Sequence, residues 1–567
     1  MKITPSNFLD VLNSCVQYQI PIYQRNYAWG VEQCLRLIKD VVKAGTSGNP
    51  CHFIGSVIVK TEPSTAVNVL NVIDGQQRLT SVSLLLLSLR EYCKHPTTTI
   101  KNDVLKLAIL NLFESFLVNN AFRGISFYYK LQPKEGSDRN EYERLLLGID
   151  GQGKMTKNYR FFVKYMLDNK IEPEVIYMGI KKAQLALVSL DQADNPQFLF
   201  EAVNDTGVDL TEVDLVRNWI FMGLSNAEQE KLYKAYWSPM EDEITDLNEF
   251  LRYYTEMKCG NTVGNKYYSN FKKAFILSVS NYSSVEKLLI EIQHYSKIYY
   301  DFINSAFHEK EINQQLEKIV HADQRLFTPL ILKVLNYYSE GRTDKADTLS
   351  ILLHLESYLV RRDILGIPTN TLGRAMVLML SKCSSKSDFD ACLNSLPYRQ
   401  RDPDDKELEI QLESLDFYHL GKAYYYLYRI EKYRNQAFSL DDPTIEHILP
   451  ETMHTNSFPK GGVSNPSDYN WELDLGPNAR TIHDIHQHVL GNLTILPRAE
   501  NSKMGDLRFE KKKDYPSKAG DGFNYGYNFT PIRISQSLKN YSKWDEKSIL
   551  KRTKELSDLI CEIWPHP

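Results

Sequence analysis

Apolar positions along the chain follow two different periods, and the change between them is abrupt. "FIGSVIVK" (53–60) and "VNVLNVID" (67–74) are runs rich in β-branched residues, parted by the turn-forming "EPST". They predict two strands of a hairpin or small sheet. From about 76 the helical period takes over. "LTSVSLLLLSLREYCK" (79–94) predicts a helix, and "VLKLAILNLFESFL" (104–117) a second. Most of 155–435 continues in this way, with breaks at "DNPQ", "GNTVGN", "SEGRTD" and "GIPTN". Near 436 the helical period weakens, and 456–480 is rich in Pro, Gly, Asn and Asp, which predicts loop. No internal repeat or low-complexity tract is found. The expected class is α+β and mostly helical, in three domains: 1–235, a small α/β head and the helices that follow it; 236–435, a long helical body; and 436–567, a mixed C-terminal domain.

Composition narrows the class. A chain of 567 residues is too long for one core. It is 43% hydrophobic and 24% charged, the balance of an ordinary globular protein. The net charge of −4 requires any nucleic-acid binding to come from local patches. Residues 501–567 hold such a surplus, thirteen Lys/Arg against nine Asp/Glu, centred on "EKKKDYPSK". Eight scattered cysteines without a Cys-x-x-Cys pair read as a reduced, cytoplasmic chain. No signal core opens the sequence and no apolar stretch would span a bilayer, so no membrane partner is expected.

The first group of chemical interest is the corner "VIDGQQRLTS". A glycine turn that opens a helix exposes unpaired N–H groups and the positive end of the helix dipole, which attract an anion. Arg78 can add a bidentate contact to phosphate, Gln76 and Gln77 are neutral donors, and Asp74 can hold a divalent metal or orient a water. The alternative is that Asp74-Gly75 is a plain turn and Arg78 a solvated helix residue. Upstream, "IPIYQRNYAW" (20–29) embeds Gln24 and Arg25 among Tyr23, Tyr27 and Trp29. An arginine among aromatics can stack and bind phosphate, or can snorkel from an aromatic core. A third group is "FLFEAVNDTGVDLTEVDLVRNWIF" (198–221). Thr211 and Asp214 fit a helix N-cap box, whereas Asn204, Asp205 and Arg217 have a weaker structural excuse.

These three segments, in this order and at similar separations, resemble the DUF262 domain, which is similar to the ParB/sulfiredoxin nucleotide-binding fold. "ESYLVRRDILGIPTN" (356–370) resembles the helical part of the same family. In the GmrSD group of restriction proteins that domain is associated with NTP binding and hydrolysis. The resemblance implies a nucleotide (ATP, GTP or another) held by Tyr23, Gln24, Arg25, Asp74, Gly75, Gln76, Gln77, Arg78 and Asn204, with Asp74 also in the catalytic metal or water role.

The second chemical group lies in "TIEHILPE" (444–451) and "LGNLTILPRAENSK" (490–503). Phosphodiester hydrolysis needs a base for water and a metal for the leaving oxygen. His447 is the candidate base, since a neutral imidazole titrates near neutrality. Glu446 and Asn501 offer oxygen ligands for Mg²⁺ or another divalent metal, Asn492 can hold the loop or orient the imidazole, and Pro450 stiffens the turn. The pattern resembles the HNH (ββα-metal) nuclease motif in its DUF1524 variant, with Glu446 where many members have Asp and Asn501 where many have a final His. "FEKKKDY" resembles the basic segment that follows, which implies DNA contacts from Lys503, Lys511, Lys512 and Lys513. His454, His483, His486 and His488 raise zinc as an alternative, although "HDIHQH" reads better as a polar loop or helix near the DNA.

Together these resemblances imply a modification-dependent, type IV DNA restriction endonuclease of the GmrSD family, acting in anti-phage defence. NTP binding or hydrolysis in the N-terminal domain would regulate metal-dependent cleavage of double-stranded, modified phage DNA by the C-terminal domain. A phosphorothioate-linked nuclease and a loosely specific abortive-infection nuclease stand as alternatives, and a homodimer is left open.

Overall fold

The computed structural model describes residues 1–13, 16–49, 51–62, 68–100, 103–119, 128–191, 194, 210–321, 325–439, 442–453, 465–515 and 525–567. Contacts divide the chain into two compact units. One is Met1–Cys259 with Val263–Ser296, the other Gly260–Thr262 with Lys297–Pro567. The helices between 236 and 435 are therefore shared between the units. The class is α+β with helix predominant, as the periodicity predicts.

The first unit is built on a mixed six-stranded sheet. Its strands are β1 (Lys2–Asn7), β2 (Val16–Gln19), β3 (His52–Glu62), β4 (Asn68–Asp74), β5 (Leu131–Gln132) and β6 (Ala183–Leu190). They lie in the order β1-β6-β3-β4-β2-β5. The predicted hairpin is present, since β3 and β4 pair antiparallel. The leucine-rich helix is present as α1 (Gln76–Lys94), and nearly all its residues from Leu79 to Leu89 are buried. The second predicted helix stops short. Asp103–Leu110 is α-helical, and Phe113–Leu117 forms a separate wide turn.

Residues 183–190 correct the helical expectation. "AQLALVSL" pairs parallel with β3 and antiparallel with β1. Ala183 and Leu185 are buried on one face of this strand and Val188 and Leu190 on the other, so its sequence lacks clean alternation. The neighbouring helix α2 (Glu212–Phe221) starts as predicted. Thr211 Oγ1 accepts from the Asp214 N–H at 3.2 Å, and Asp214 accepts from the Thr211 N–H at 3.2 Å. Asn204, Asp205 and His454 lie outside the described residues.

The second unit is helical up to Arg434. Its long helix α3 (Lys345–Ile364) carries Arg361, which is fully buried and donates to the carbonyls of Trp564 and Pro403, each at 2.7 Å. A two-stranded antiparallel ladder follows, β7 (Pro443–His447) with β8 (Leu493–Pro497). Between them α4 (Ala479–His486) begins at the end of the stretch expected as loop and carries the first part of the histidine segment as helix. Helix α5 (Arg498–Met504) leaves β8 directly, and α6 (Glu546–Ile563) closes the unit. Leu449, Leu493, Ile495, Trp544 and Trp564 share one core with Ile364. Among the described residues no helix is long and apolar enough to cross a membrane.

Candidate functional site

Two places bring the predicted side chains together, one in each unit. In the first, β4 ends at Asp74 and α1 begins at Gln76, with Gly75 at φ 92° between them. A Cβ on Gly75 would sit 2.8 Å from Val57 Cγ2 and 3.0 Å from the Ser56 carbonyl. This glycine therefore lets β3 pass close to the turn. Gly55, at φ 118°, makes room in the same way for Arg78, whose guanidinium would lie 2.7 Å from an added Cβ. Arg78 Nη1 donates to the Ser56 carbonyl at 2.9 Å and lies 3.9 Å from Asp74.

Several residues predicted to hold nucleotide are braces instead of open donors. Gln77 Oε1 accepts the N–H groups of Ala28 and Trp29, at 2.9 and 3.2 Å. Gln24 Nε2 donates to the Ile73 carbonyl at 3.0 Å. Tyr23 is buried, stacked on Phe221. Its carbonyl accepts from Arg217 Nε, while the rest of that guanidinium is taken by Asp214 and Glu241. Gln76 is buried beside Tyr27, Lys134 and Asp138 at a small cleft. The partly exposed members of the group are Arg25, Asp74 and Arg78. Burial pushes the Asp74 carboxyl up, against the pull of Arg78, the Gly75 N–H and Arg25. Burial pushes the Arg25 guanidinium's pKa down, against the pull of Asp214 and Asp74. Two guanidiniums flanking one carboxylate at a helix start fit an anion such as a phosphate.

In the second unit β7 ends at His447, and its imidazole, 10% exposed, packs on Tyr418 with ring centroids 4.3 Å apart. Its Nε2 faces His488 Nδ1 at 3.1 Å, and its Nδ1 lies 3.9 Å from Glu451. Burial, with His488 and Lys512 nearby, lowers its pKa to about 3. The imidazole is thus a neutral base at working pH, and an entering phosphate anion would raise its proton affinity.

Asn492 is fully buried and uses both ends of its amide. Its oxygen accepts from the Leu449 N–H at 2.7 Å and from Trp544 Nε1 at 3.0 Å. Its nitrogen donates to the carbonyls of Leu449 and Gln487, both at 2.8 Å. Asn492 therefore holds the turn after His447 and has no free edge for substrate. Asn501 Nδ2 ties α5 to β7 through Thr444 Oγ1 and the Ile445 carbonyl, each at 3.0 Å.

Glu446 is placed differently from its predicted ligand role. Successive strand residues face opposite sides, so Glu446 points inward while His447 points out. Its buried carboxylate takes Lys512 Nζ at 2.6 Å and the Tyr527 hydroxyl at 3.1 Å. Lys512, expected against DNA, is fully buried and also donates to the carbonyls of His447 and Ile448. So arranged, Glu446 is buried and already paired with Lys512, and the pair Glu446/Asn501 does not fit as a metal site. Lys503 and Lys511 are exposed, the first over the Tyr525 ring and the second near Asp468. Lys513 is half-buried and donates to the Tyr541 carbonyl at 2.9 Å.

The predicted histidine cluster separates. His483 Nε2 meets the Pro450 carbonyl at 2.9 Å, and His486 Nε2 approaches Glu546 at 3.3 Å. Among its described members only His488 joins His447. Among the described residues two trios can bring a ligand atom from each member within 4.8 Å of the others: His447, Glu451 and His488, and Asp416, His419 and His488. Sequence reasoning misses Gly55, Asp416, Tyr418, His419 and Glu451. Only Gly55, a glycine within a β-branched run, leaves a local signal.

The two centres fall within two segments that match known families. Residues 8–221 match the model of the GmrSD restriction endonuclease N-terminal domain, and residues 402–559 match that of the GmrSD restriction endonuclease C-terminal domain. A search of curated proteins found no match. The chain belongs to the GmrSD restriction endonuclease family, which makes DNA its substrate.

Proposed function

We propose that the chain is a type IV restriction endonuclease that cuts modified DNA, with an HNH-type nuclease centre at His447 gated by a nucleotide bound at Arg25, Asp74 and Arg78. The observation that carries the reading is the strand–strand–helix succession β7, β8 and α5, which sets a neutral imidazole at the end of its first strand beside a turn clamped by Asn492.

His447 takes the proton of the attacking water, and its proton affinity rises as the phosphodiester enters. Lys512 and Asn492 hold the backbone at His447 and in the two residues after it, so the base keeps its place without their touching the substrate. Lys503 and Lys511 contribute sequence-independent attraction to the DNA backbone. A bound divalent ion would supply Lewis-acid stabilisation of the leaving oxygen. In the N-terminal unit, Arg25 and Arg78 bind the nucleotide phosphates and Asp74 orients a metal or water.

A nuclease without base-specific contacts endangers its own cell unless something restrains it, and a modified base supplies that restraint. The test is cleavage of matched DNAs that are unmodified, carry glucosylated hydroxymethyl cytosine or carry phosphorothioate linkages, in Mg²⁺ or EDTA and with or without ATP or GTP. The expected result is cutting of the base-modified DNA alone, altered by nucleotide and abolished by EDTA. Equal cutting of all three DNAs would discard the modification gate in favour of a loosely specific abortive-infection nuclease, and cutting confined to phosphorothioate DNA would favour the phosphorothioate-linked reading.

A further inference from the structure

The trio Asp416, His419 and His488 lies next to the proposed base but plays no part in the hydrolysis described. The segment that carries Asp416 and His419 is fastened to His488 itself. The N–H groups of Phe417 and Tyr418 both donate to the His488 carbonyl, at 2.9 and 3.2 Å. The Tyr418 ring stacks on the His488 ring at 5.5 Å with an interplanar angle of 14°. The His419 ring meets the His488 ring edge-on at 4.7 Å, and His419 Nδ1 lies 2.9 and 3.0 Å from the two Asp416 oxygens. Asp416 and His419 are exposed, so the trio is open to solvent. Two imidazoles and one carboxylate, converging on positions set by backbone hydrogen bonds, form a donor set for a borderline divalent ion such as Zn²⁺. Mg²⁺, which prefers oxygen ligands, is a poor match.

We propose that Asp416, His419 and His488 bind a divalent transition metal of the zinc type, and that this ion silences His447. The inference rests on the preceding reading only in taking His447 as the base. His488 Nδ1 faces His447 Nε2 at 3.1 Å, which leaves Nε2 of His488 for the metal. A neutral imidazole carries one N–H, so a metal on Nε2 fixes the proton on Nδ1. That N–H then donates to His447 Nε2. The lone pair that would take the proton of water is engaged, and cleavage stops while the nucleotide site is untouched.

The test uses the full chain, stripped with EDTA and then freed of chelator. Zn²⁺ is titrated against a chromophoric chelator, and Co²⁺ is followed by its visible absorption, in the wild type and in Asp416→Asn, His419→Ala and Glu451→Gln. Plasmid nicking in Mg²⁺ is then measured with and without micromolar Zn²⁺. The expected result is one Zn²⁺ per chain, with affinity weakened about tenfold or more in Asp416→Asn and His419→Ala and unchanged in Glu451→Gln. His419→Ala should nick like the wild type in Mg²⁺ alone yet resist zinc. Wild-type zinc affinity in both Asp416→Asn and His419→Ala overturns the site. So does loss of zinc in Glu451→Gln, which would place the ion on His447, Glu451 and His488. A chain that binds zinc as described but never nicks DNA in Mg²⁺ would uphold the metal site and sink the nuclease reading instead.

Discussion

Lys512 Nζ lies 2.6 Å from Glu446 Oε1, in a place where neither side chain reaches solvent. The lysine spends its remaining protons on the carbonyls of His447 and Ile448, so one buried ion pair also fixes the backbone that carries the proposed base. Breaking such a pair leaves an uncompensated buried charge, which costs about 3–5 kcal/mol, whereas replacing both partners with groups of similar volume is often close to neutral.

Lys512→Met should therefore lower the unfolding midpoint of the second unit strongly, and Lys512→Met combined with Glu446→Leu should recover much of the loss. Denaturant unfolding of the three chains measures this. A Lys512→Met chain as stable as the wild type would show that Lys512 is not the buried partner of Glu446.

Asn492→Ala removes four hydrogen bonds from a fully buried amide and leaves the Leu449 N–H and carbonyl without their partner. The expected loss is about 2–4 kcal/mol in stability, because unsatisfied buried polar groups carry their desolvation penalty. Nicking should fall with it, since the turn after His447 loosens. Asn492→Asp, which keeps the acceptor but loses the donor to the Leu449 and Gln487 carbonyls, should also be impaired. Full nicking by a folded Asn492→Ala chain would remove Asn492 from any positioning role.

The pattern of legibility follows the range of the interaction. The hairpin β3–β4, helix α1 and the Thr211–Asp214 cap are set by neighbours within a few residues, and the periods and cap residues announce them. Strand β6 is not announced, because its apolar residues serve two faces of a sheet and the strands it pairs with, β1 and β3, lie over a hundred residues away. In "IEHILP" the acid and the imidazole stand side by side in sequence and invite a common site. Strand geometry sends them to opposite faces, Glu446 to Lys512 and His447 to Tyr418 and His488. Those partners lie 29 to 66 residues away, so no local spacing reveals them.

At the other centre, the residues divide by what they already hold. Arg78→Ala and Arg25→Ala should weaken ATP or GTP binding about tenfold or more, because each removes a positive charge that acts on Asp74 from a partly exposed position. Gln77→Ala should chiefly lower stability, since it unties the Ala28 and Trp29 N–H groups. Gly55→Ala should mimic Arg78→Ala, because its Cβ would strike the guanidinium. Isothermal titration and thermal unfolding on the four chains separate the two outcomes. Unchanged nucleotide affinity in Arg25→Ala and Arg78→Ala would return the corner to a structural turn.

His447 makes a prediction about acid as well as about rate. His447→Ala should reduce DNA nicking by about 10²–10⁴ and leave nucleotide turnover in place. The folded imidazole has its pKa lowered from the ordinary 6.5 to about 3, chiefly by burial. Between those values the unfolded chain binds a proton that the folded chain refuses. Stability therefore rises with pH across this window and falls as the solution is acidified through it. The contribution lost on going from pH 7 to pH 4 is of order a few kcal/mol, since each pKa unit is worth about 1.4 kcal/mol. Other groups titrate over the same range, so the informative quantity is a difference between chains. His447→Gln keeps a polar side chain of similar size that cannot titrate. In EDTA, the unfolding midpoint of the wild type should drop more steeply between pH 7 and 5 than that of His447→Gln. Parallel curves for the two chains would mean that the imidazole is not held neutral by the fold, and that the proposed base is more open to water than its contacts with Tyr418 and His488 imply.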